Sequence, residues 1–131
     1  MSKIPVIYIA GPYRGATSSK VNENIFEARR AGIRAIAVGW SPIIPHCNTA
    51  RFEVAMPKVS DEFWLEATLE LMRRCDAVLM VEGWQSSIGA TNEHDEAKRL
   101  GMPVFGSLAE MPCASDFLAS LNHYDKLMHP E

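Results

Sequence analysis

One glutamate lies on the apolar face of a predicted helix, where its carboxylate could do chemistry. Glu93 follows the stretch 83–92, which leads from a buried strand into a helical pattern. On a 3.6-residue period it shares one face with three apolar residues, Ala90, Ala97 and Leu100. A carboxylate on this face loses hydration, which costs free energy unless the group is paired or used. Glu93 is therefore either a catalytic carboxylate or a helix-start carboxylate favoured by the helix dipole.

The elements that must position Glu93 alternate between strand and helix. Strands are predicted at 6–10, 40–44, 77–81 and 103–105, and helices at 19–38, 60–74, through Glu93 to 100, and 115–128. This alternation predicts a flavodoxin- or Rossmann-like α/β fold, with a doubly wound parallel sheet of four or five strands ordered 2-1-3-4. We expect a single domain over residues 1–131. Ligands of such sheets bind beyond the carboxyl ends of the strands.

The loop after the first predicted strand is a candidate anion site. It contains Gly11, Pro12, Tyr13, Arg14 and Gly15. Glycine lets backbone amides approach an anion, and the guanidinium adds a fork of donors. The loop matches neither the phosphate-binding P-loop nor the dinucleotide fingerprint. As a motif by itself it is a weak signal.

Two further loops follow strand ends. His46 begins the segment 46–59, which has no clear period and is predicted to be a long loop of the kind that often carries function. After the third strand, Ser87 and Gly89 suit a phosphate or a sugar hydroxyl, although Ser87 is equally well an ordinary N-cap. Trp84 could stack on a base or fill a core position.

Composition excludes several classes of function. A formal net charge of -3 gives no electrostatic case for binding a nucleic-acid polymer or a membrane surface, and no apolar stretch approaches the length of a bilayer span. Cys47, Cys75 and Cys113 are odd in number and widely spaced, which favours reduced thiols in the cytoplasm. No second Cys or His lies at ligand spacing from His46 and Cys47, so we expect no metal and no other cofactor.

Together these motifs resemble the nucleoside 2-deoxyribosyltransferase-like superfamily. The matching segments run from the first strand to Leu100: Ile7-Tyr8-Ile9-Ala10-Gly11-Pro12-Tyr13-Arg14-Gly15, Pro45-His46, Cys75-Asp76-Ala77-Val78, and Gly83-Trp84 through Ser87-x-Gly89-x-x-x-Glu93. The pattern is similar to small, mostly uncharacterised bacterial and phage members and to the nucleoside 5'-monophosphate N-glycosidases. The resemblance implies cleavage or transfer at the N-glycosidic bond of a (deoxy)nucleoside 5'-monophosphate. A nucleotide or nucleoside is therefore the expected small-molecule partner.

The resemblance also implies roles for individual residues. Glu93 would be the nucleophile that attacks the anomeric carbon and expels the base. Tyr8 would orient its carboxylate, and a hydrogen bond from Tyr8 should keep the pKa of Glu93 low. The 11–15 loop, Ser87 and Gly89 would hold the 5' end, and His46 would contact the base. Serine at position 87 is typical of the monophosphate hydrolases, because the aspartate of the transferases would repel a phosphate.

One position departs from the family pattern. Thr68 stands where these enzymes usually carry an aspartate that protonates or positions the leaving base. Threonine cannot act as an acid near neutral pH, and Asp61, about two turns earlier on the same stripe, is the candidate replacement. Two hypotheses follow: an enzyme acting on an N-glycosidic bond, and a catalytically weak or inactive nucleotide-binding module.

The resemblance further implies a homodimer or a larger homo-oligomer, because sites of this family are usually completed by a neighbouring subunit. Phe63, Trp64 and Leu71 lie off the inner stripe of the 60–74 helix. They are expected to leave an apolar patch that a second copy could cover.

Overall fold

The computed structural model describes residues 3–128, except for the side chains of Tyr124 and Asp125, and contains a parallel sheet with helices on both faces. The four strands are β1 (Val6–Ala10), β2 (Ser41–Ile43), β3 (Ala77–Met80) and β4 (Val104–Phe105). They lie in the order β2-β1-β3-β4, and every neighbouring pair is parallel. The predicted α/β class and strand order are confirmed.

The helices connect and flank these strands. They are α1 (Ser18–Ala37), α2 (Pro45–Asn48), α3 (Phe52–Ala55), α4 (Asp61–Arg73), α5 (Ile88–Arg99) and α6 (Ala114–Met128), with short 3-10 turns at Trp84–Ser86 and Leu108–Glu110. The prediction of a long loop over 46–59 is wrong in part, because α2 and α3 lie there. Each has four residues, too few to show a helical period. Among the helices of residues 3–128, none is long and apolar enough to cross a membrane.

Side-chain caps determine where three of the helices around the sheet begin. Thr17, Ser60 and Ser87 accept hydrogen bonds from the backbone N–H groups three residues ahead, at 3.1, 3.1 and 3.2 Å. Thr17 and Ser87 cap helices that follow the carboxyl ends of β1 and β3. The positive ends of these two helix dipoles therefore lie at the edge of the sheet where ligands are expected.

Successive residues of β1 belong to two apolar clusters on opposite faces of the sheet, and one of these clusters borders the candidate site. Ile7 and Ile9 pack in a cluster with residues of α1 and α6, whereas Tyr8 and Ala10 pack in a second cluster with residues of α4 and α5. All four side chains are fully buried. Since successive strand residues point to opposite faces, Tyr8 lies on the same side of the sheet as Glu93.

The expected apolar patch on α4 does not form. Phe63 is 58% exposed, but Leu71 is partly buried against the α4/α5 cluster and Trp64 is partly buried beside a cleft. The helix turns these two side chains towards the protein rather than away from it. Large exposed apolar side chains lie instead on α1, at Phe26 and Ile33.

Candidate active site

A cleft of about 980 Å³ lies at the carboxyl ends of β1, β2 and β3. Its walls come from the loops after these strands, from α1, α2 and α4, and from the first turns of α5. Most of the predicted site residues line it: Gly11, Pro12, Tyr13, Arg14, His46, Thr68, Ser87, Gly89 and Glu93. Its size is that of a pocket for a small molecule such as a nucleotide. The strand-end rule therefore located the cleft correctly.

Glu93 lines this cleft and forms a buried carboxyl–phenol pair with a tyrosine that does not itself line it. Glu93 is 6% exposed on the inner side of α5, and Tyr8 is fully buried on β1. The Tyr8 hydroxyl donates a hydrogen bond to Glu93 Oε2. This contact, between residues far apart in the sequence, is the pairing that the resemblance implied.

Burial dominates the electrostatics of the pair. Loss of hydration raises the pKa of Glu93 to about 7, and the hydrogen bond from Tyr8 lowers it by less than burial raises it. The hydrogen bond from Tyr8 therefore helps in the expected direction, but burial outweighs it and the pKa of Glu93 is not low. Burial, followed by the nearby Glu93 charge, raises the pKa of Tyr8 well above its usual value, so the phenol retains its proton as a donor.

Thr68 lies in the cleft beside this pair, on α4. Its hydroxyl donates to the Leu65 carbonyl at 3.0 Å. The Thr68 hydroxyl also lies close enough to Tyr8 to lower the pKa of the phenol, although burial raises this pKa by more. At the position predicted for a family acid, this threonine therefore lies near the tyrosine that holds Glu93, and it has no acidic proton to donate.

Asp61, the candidate replacement acid, is committed to another contact. Its carboxylate forms an ion pair with Arg14 at 2.7 Å, and the two side chains are 83% and 59% exposed. Exposed pairs of this kind stabilise by only about 0 to 1 kcal/mol, and the guanidinium has further N–H donors that can bind a phosphate while Asp61 stays paired. Arg14 thus remains a candidate phosphate ligand, but it is not free of a partner.

His46 is held in one tautomer by the loop after β1. Its Nε2 lies 3.1 Å from the Gly11 carbonyl oxygen and 2.7 Å from that of Pro12, so Nε2 carries the proton that both carbonyls accept. Burial lowers the pKa of His46, which leaves the ring neutral. Nδ1 is then a buried acceptor with no partner among residues 3–128.

The Tyr13 hydroxyl is hydrogen-bonded to other residues in the wall of the cleft. Its hydroxyl donates to Glu53 at 2.9 Å and accepts from the Arg51 backbone N–H at 2.8 Å. The Asn24 amide donates to the carbonyls of Tyr13 and Arg14, at 3.0 and 3.3 Å. Sequence reasoning missed these partners. A polar Asn24 on the apolar face of α1 was the one local signal that could have found one of them.

The profile of a protein family described as a domain of unknown function, DUF4406, matches residues 5–106. The chain belongs to this family. The matched range contains all four strands and every cleft residue named above, and it ends before α6. No curated protein matches the chain.

Two residues of this DUF4406 domain that were expected to bind the ligand lie outside the cleft. The Trp84 ring stacks on His94 with centroids 4.3 Å apart, and it packs against the α4/α5 cluster. Of the two roles expected for Trp84, a position in the core therefore fits the structure better than stacking on a base. Gly15 turns towards the Lys20 side chain, which a Cβ at this position would meet at 2.5 Å.

Gly11 and Gly89 both line the cleft, but they differ in the space available for a side chain. A Cβ at Gly11 would lie 2.7 Å from the Val81 side chain, so the close approach of β1 and β3 demands glycine there. A Cβ at Gly89 would meet no protein atom within 4 Å. Packing therefore explains Gly11, whereas Gly89 opens onto space that a ligand can use.

Other candidate chemistry in the DUF4406 domain is weak. Over residues 3–128, no group of three or more His, Cys, Asp or Glu side chains is placed to hold a metal ion. Burial raises the pKa of Cys75 to about 11, which keeps it a thiol rather than a nucleophilic thiolate. The buried carboxylate of Glu93 is the group in the cleft best suited to attack a substrate.

Proposed function

We propose that this protein cleaves or transfers at the N-glycosidic bond of a (deoxy)nucleoside 5'-monophosphate, with Glu93 as the nucleophile. The observation that carries the proposal is the buried Tyr8–Glu93 pair, whose carboxyl lines a cleft of nucleotide size. A carboxylate in an apolar face destabilises the fold, so its presence there favours a functional role, and a strongly shifted pKa in a cleft is typical of functional groups.

The proposed reaction has two steps. Glu93 in its ionised form attacks the anomeric carbon, and the base departs with the electron pair of the C–N bond. Water, or a second base, then attacks the same carbon and restores the carboxylate. Because the pKa of Glu93 is about 7, both the ionised nucleophile and its protonated form are populated near neutral pH. Tyr8 keeps one carboxylate oxygen bound and leaves the other for attack.

The start of α5 supports a phosphate at the 5' end of the substrate. Ser87 caps this helix, Gly89 follows it, and the first turn holds no acidic residue. Backbone N–H groups and the helix dipole favour an anion at such an end. Ser87 uses its oxygen as the cap acceptor for the Ala90 N–H, and its hydroxyl proton remains a donor.

A catalytically weak or inactive nucleotide-binding module is the second candidate. Thr68 favours it, because the hydroxyl at the acid position donates to Leu65, lies near Tyr8 and supplies no acid. Both candidates use the same cleft, so only turnover separates them.

Incubation with ribo- and deoxyribonucleoside 5'-monophosphates tests the choice. The enzyme should release free base and the sugar 5-phosphate in equal amounts, which chromatography resolves. Measurable nucleotide affinity without any released base would favour the binding module.

Ser87→Asp should weaken monophosphate binding by about tenfold or more, because a second anion would face the phosphate. Aspartate is a good N-cap, so α5 should still form. Calorimetry should show nucleoside binding nearly unchanged. Ser87→Asn is the matched neutral control and should bind the monophosphate much better than the aspartate variant. Equal losses for nucleoside and monophosphate would mean that the phosphate lies elsewhere.

Gly89→Ala should stabilise the protein and weaken its ligand binding. The new methyl group lies in the first turn of α5, meets no protein atom, and raises helix propensity by about 0.5 to 1 kcal/mol. The same methyl group would occupy space beside the proposed phosphate. Urea unfolding and calorimetry measure the two effects, with Gly11→Ala as a control that should destabilise the fold through Val81. Unchanged affinity for the monophosphate would remove Gly89 from the site.

A homodimer or larger homo-oligomer is part of the proposal. Phe26 and Ile33 on α1 are 60% and 63% exposed, which leaves apolar surface for a second copy to cover. Light scattering at micromolar concentration should give at least twice the mass of the chain. A monomeric mass under these conditions would contradict this.

A further inference from the structure

We infer that the base expelled by this enzyme carries a positive charge in the substrate, as a pyridinium or an N-alkylated purine does. Such a base departs as a neutral molecule and needs no proton from the protein. The inference rests on the proposed function and adds to it the class of substrate.

The first observation is that the groups near the expected leaving base hold no proton that they can deliver. The Thr68 hydroxyl is engaged with the Leu65 carbonyl, and Asp61 is paired with Arg14. The one proton of neutral His46 is bound between the carbonyls of Gly11 and Pro12. An uncharged purine or pyrimidine that leaves without a proton must depart as an anion, which general acid catalysis normally prevents.

The second observation is the charge of the cleft. Six carboxylate side chains and two cationic ones line it, in the part of the chain that the structure describes: Glu23, Glu27, Glu53, Asp61, Glu82 and Glu93, against Arg14 and Lys20. Both cations are paired with carboxylates, Arg14 with Asp61 at 2.7 Å and Lys20 with Glu23 at 3.6 Å. This charge also opposes the 5'-phosphate, which the amides at the start of α5 and Arg14 would hold. Between two bases on the same sugar phosphate, it favours a cationic ring over a neutral one and opposes departure of the base as an anion.

The third observation is the orphaned acceptor on His46. The side chain is 5% exposed, lines the cleft, and its Nδ1 has no partner among residues 3–128. Nδ1 is itself buried, so an N–H donor of the base, such as the carboxamide of a pyridinium or the exocyclic amine of a purine, reaches it when the ring or a neighbouring side chain shifts. His46 would then recognise the base rather than protonate it.

The chemistry balances without an acid. The Glu93 carboxylate forms a bond to the anomeric carbon while the C–N bond breaks, and its electron pair neutralises the positive ring nitrogen. A water molecule then attacks the glycosyl ester and loses one proton to solvent, which returns Glu93 to its carboxylate form. The net reaction converts a cationic glycoside and water into a neutral base, a sugar phosphate and one proton.

The test compares substrates that differ in the charge of the base. 7-Methylguanosine 5'-monophosphate and guanosine 5'-monophosphate differ by one methyl group and one charge, and nicotinamide mononucleotide supplies a pyridinium. We expect kcat/KM to be at least about 100-fold higher for the two cationic substrates. The Glu93→Gln variant should also bind them at least about fivefold more tightly than guanosine 5'-monophosphate at low salt, an advantage that added salt reduces.

A change at position 68 separates charge selectivity from the greater intrinsic lability of cationic glycosides. Thr68→Asp should raise kcat for guanosine 5'-monophosphate about 10- to 100-fold relative to kcat for the cationic substrates, because the acid that it supplies helps only a base that needs a proton. Thr68→Asn has no acid and should help neither class. If the aspartate variant does not fold, the binding comparison in Glu93→Gln still tests charge selectivity, because binding does not depend on the lability of the glycosidic bond.

The outcomes distinguish the inference from the proposed function beneath it. Base release from guanosine 5'-monophosphate as fast as from its methylated form would overturn the charged-base inference and leave the proposed function intact. An equal gain for both classes in Thr68→Asp would overturn it as well. No release from any of the three substrates would overturn the proposed function together with the inference.

Discussion

Replacement of Glu93 by glutamine or alanine is expected to lower base release by at least about 1,000-fold, because a neutral side chain cannot form the glycosyl ester. The other carboxylates of the cleft are exposed or engaged with other side chains, and none is paired with Tyr8. Chromatography of the released base gives the rate. Glu82→Gln removes an exposed carboxylate from the same cleft and should stay within about threefold of the natural protein.

The pH profile of the natural protein gives an independent check on the same nucleophile. Only the ionised carboxylate attacks, so the rate should rise with pH through about 7 and then level off. Tyr8 keeps its proton across this range, since its pKa lies well above the usual value. A rate that is flat from pH 5 to pH 9, or release that survives the loss of Glu93, would remove this mechanism.

Glu93→Gln is also expected to stabilise the protein at pH 8, by up to about 3 kcal/mol. The pKa of Glu93 is about 7 in the folded protein and near 4.5 when the side chain is exposed to water. Below about pH 4.5 the carboxyl is protonated in both states and costs nothing. As the pH rises to 7, the unfolded chain loses this proton before the folded protein does, so the free energy of unfolding falls. Above pH 7 the full penalty remains, and glutamine removes it.

Urea unfolding at pH 8 and at pH 4.5 measures this difference. The glutamine variant should be more stable than the natural protein at pH 8 and nearly equal to it at pH 4.5, while Glu82→Gln should change little at either pH. Destabilisation by Glu93→Gln at pH 8 would mean that the Tyr8 hydrogen bond outweighs burial. Gain of stability with loss of activity in one variant is typical of a side chain retained for function.

The expected gain of stability in Glu93→Gln does not depend on whether the protein turns over a substrate. It therefore complements the expected loss of base release. An inactive binding module with the same buried carboxyl would show the same pH-dependent penalty, because burial alone causes it. Loss of base release in the glutamine variant therefore separates the enzyme from the module, while the unfolding experiment examines the physical state of Glu93.

Local patterns in the sequence were sufficient for the architecture. Strand and helix periods predicted the α/β class and the strand order β2-β1-β3-β4, and the rule of strand ends located the cleft. The helical period also placed Glu93 on the buried face of α5 beside Ala90 and Ala97. These properties are local, because which face a residue occupies depends only on its spacing from its neighbours.

The exposure of individual residues was predicted less well, because it depends on what covers them. Trp84 and Leu71 were candidates for a base contact and an apolar patch, but both pack against the α4/α5 cluster. A helical or strand period shows in which direction a side chain points. Whether the side chain is exposed to solvent depends on whether a neighbouring helix or strand covers it. The two short helices in 46–59 escaped prediction because one turn has no period.

By itself the sequence thus determined the fold, the edge of the sheet that holds the cleft, and the buried face of Glu93. Only the tertiary structure decided the chemical state of that cleft: the pKa of Glu93 near 7, the ion pair of Arg14 with Asp61, and the His46 tautomer. The physical reason is that each of these depends on distance and exclusion of water between segments far apart in the chain. Glu93 lies 85 residues from Tyr8 and His46 lies 34 from Pro12, and only folding brings them into contact.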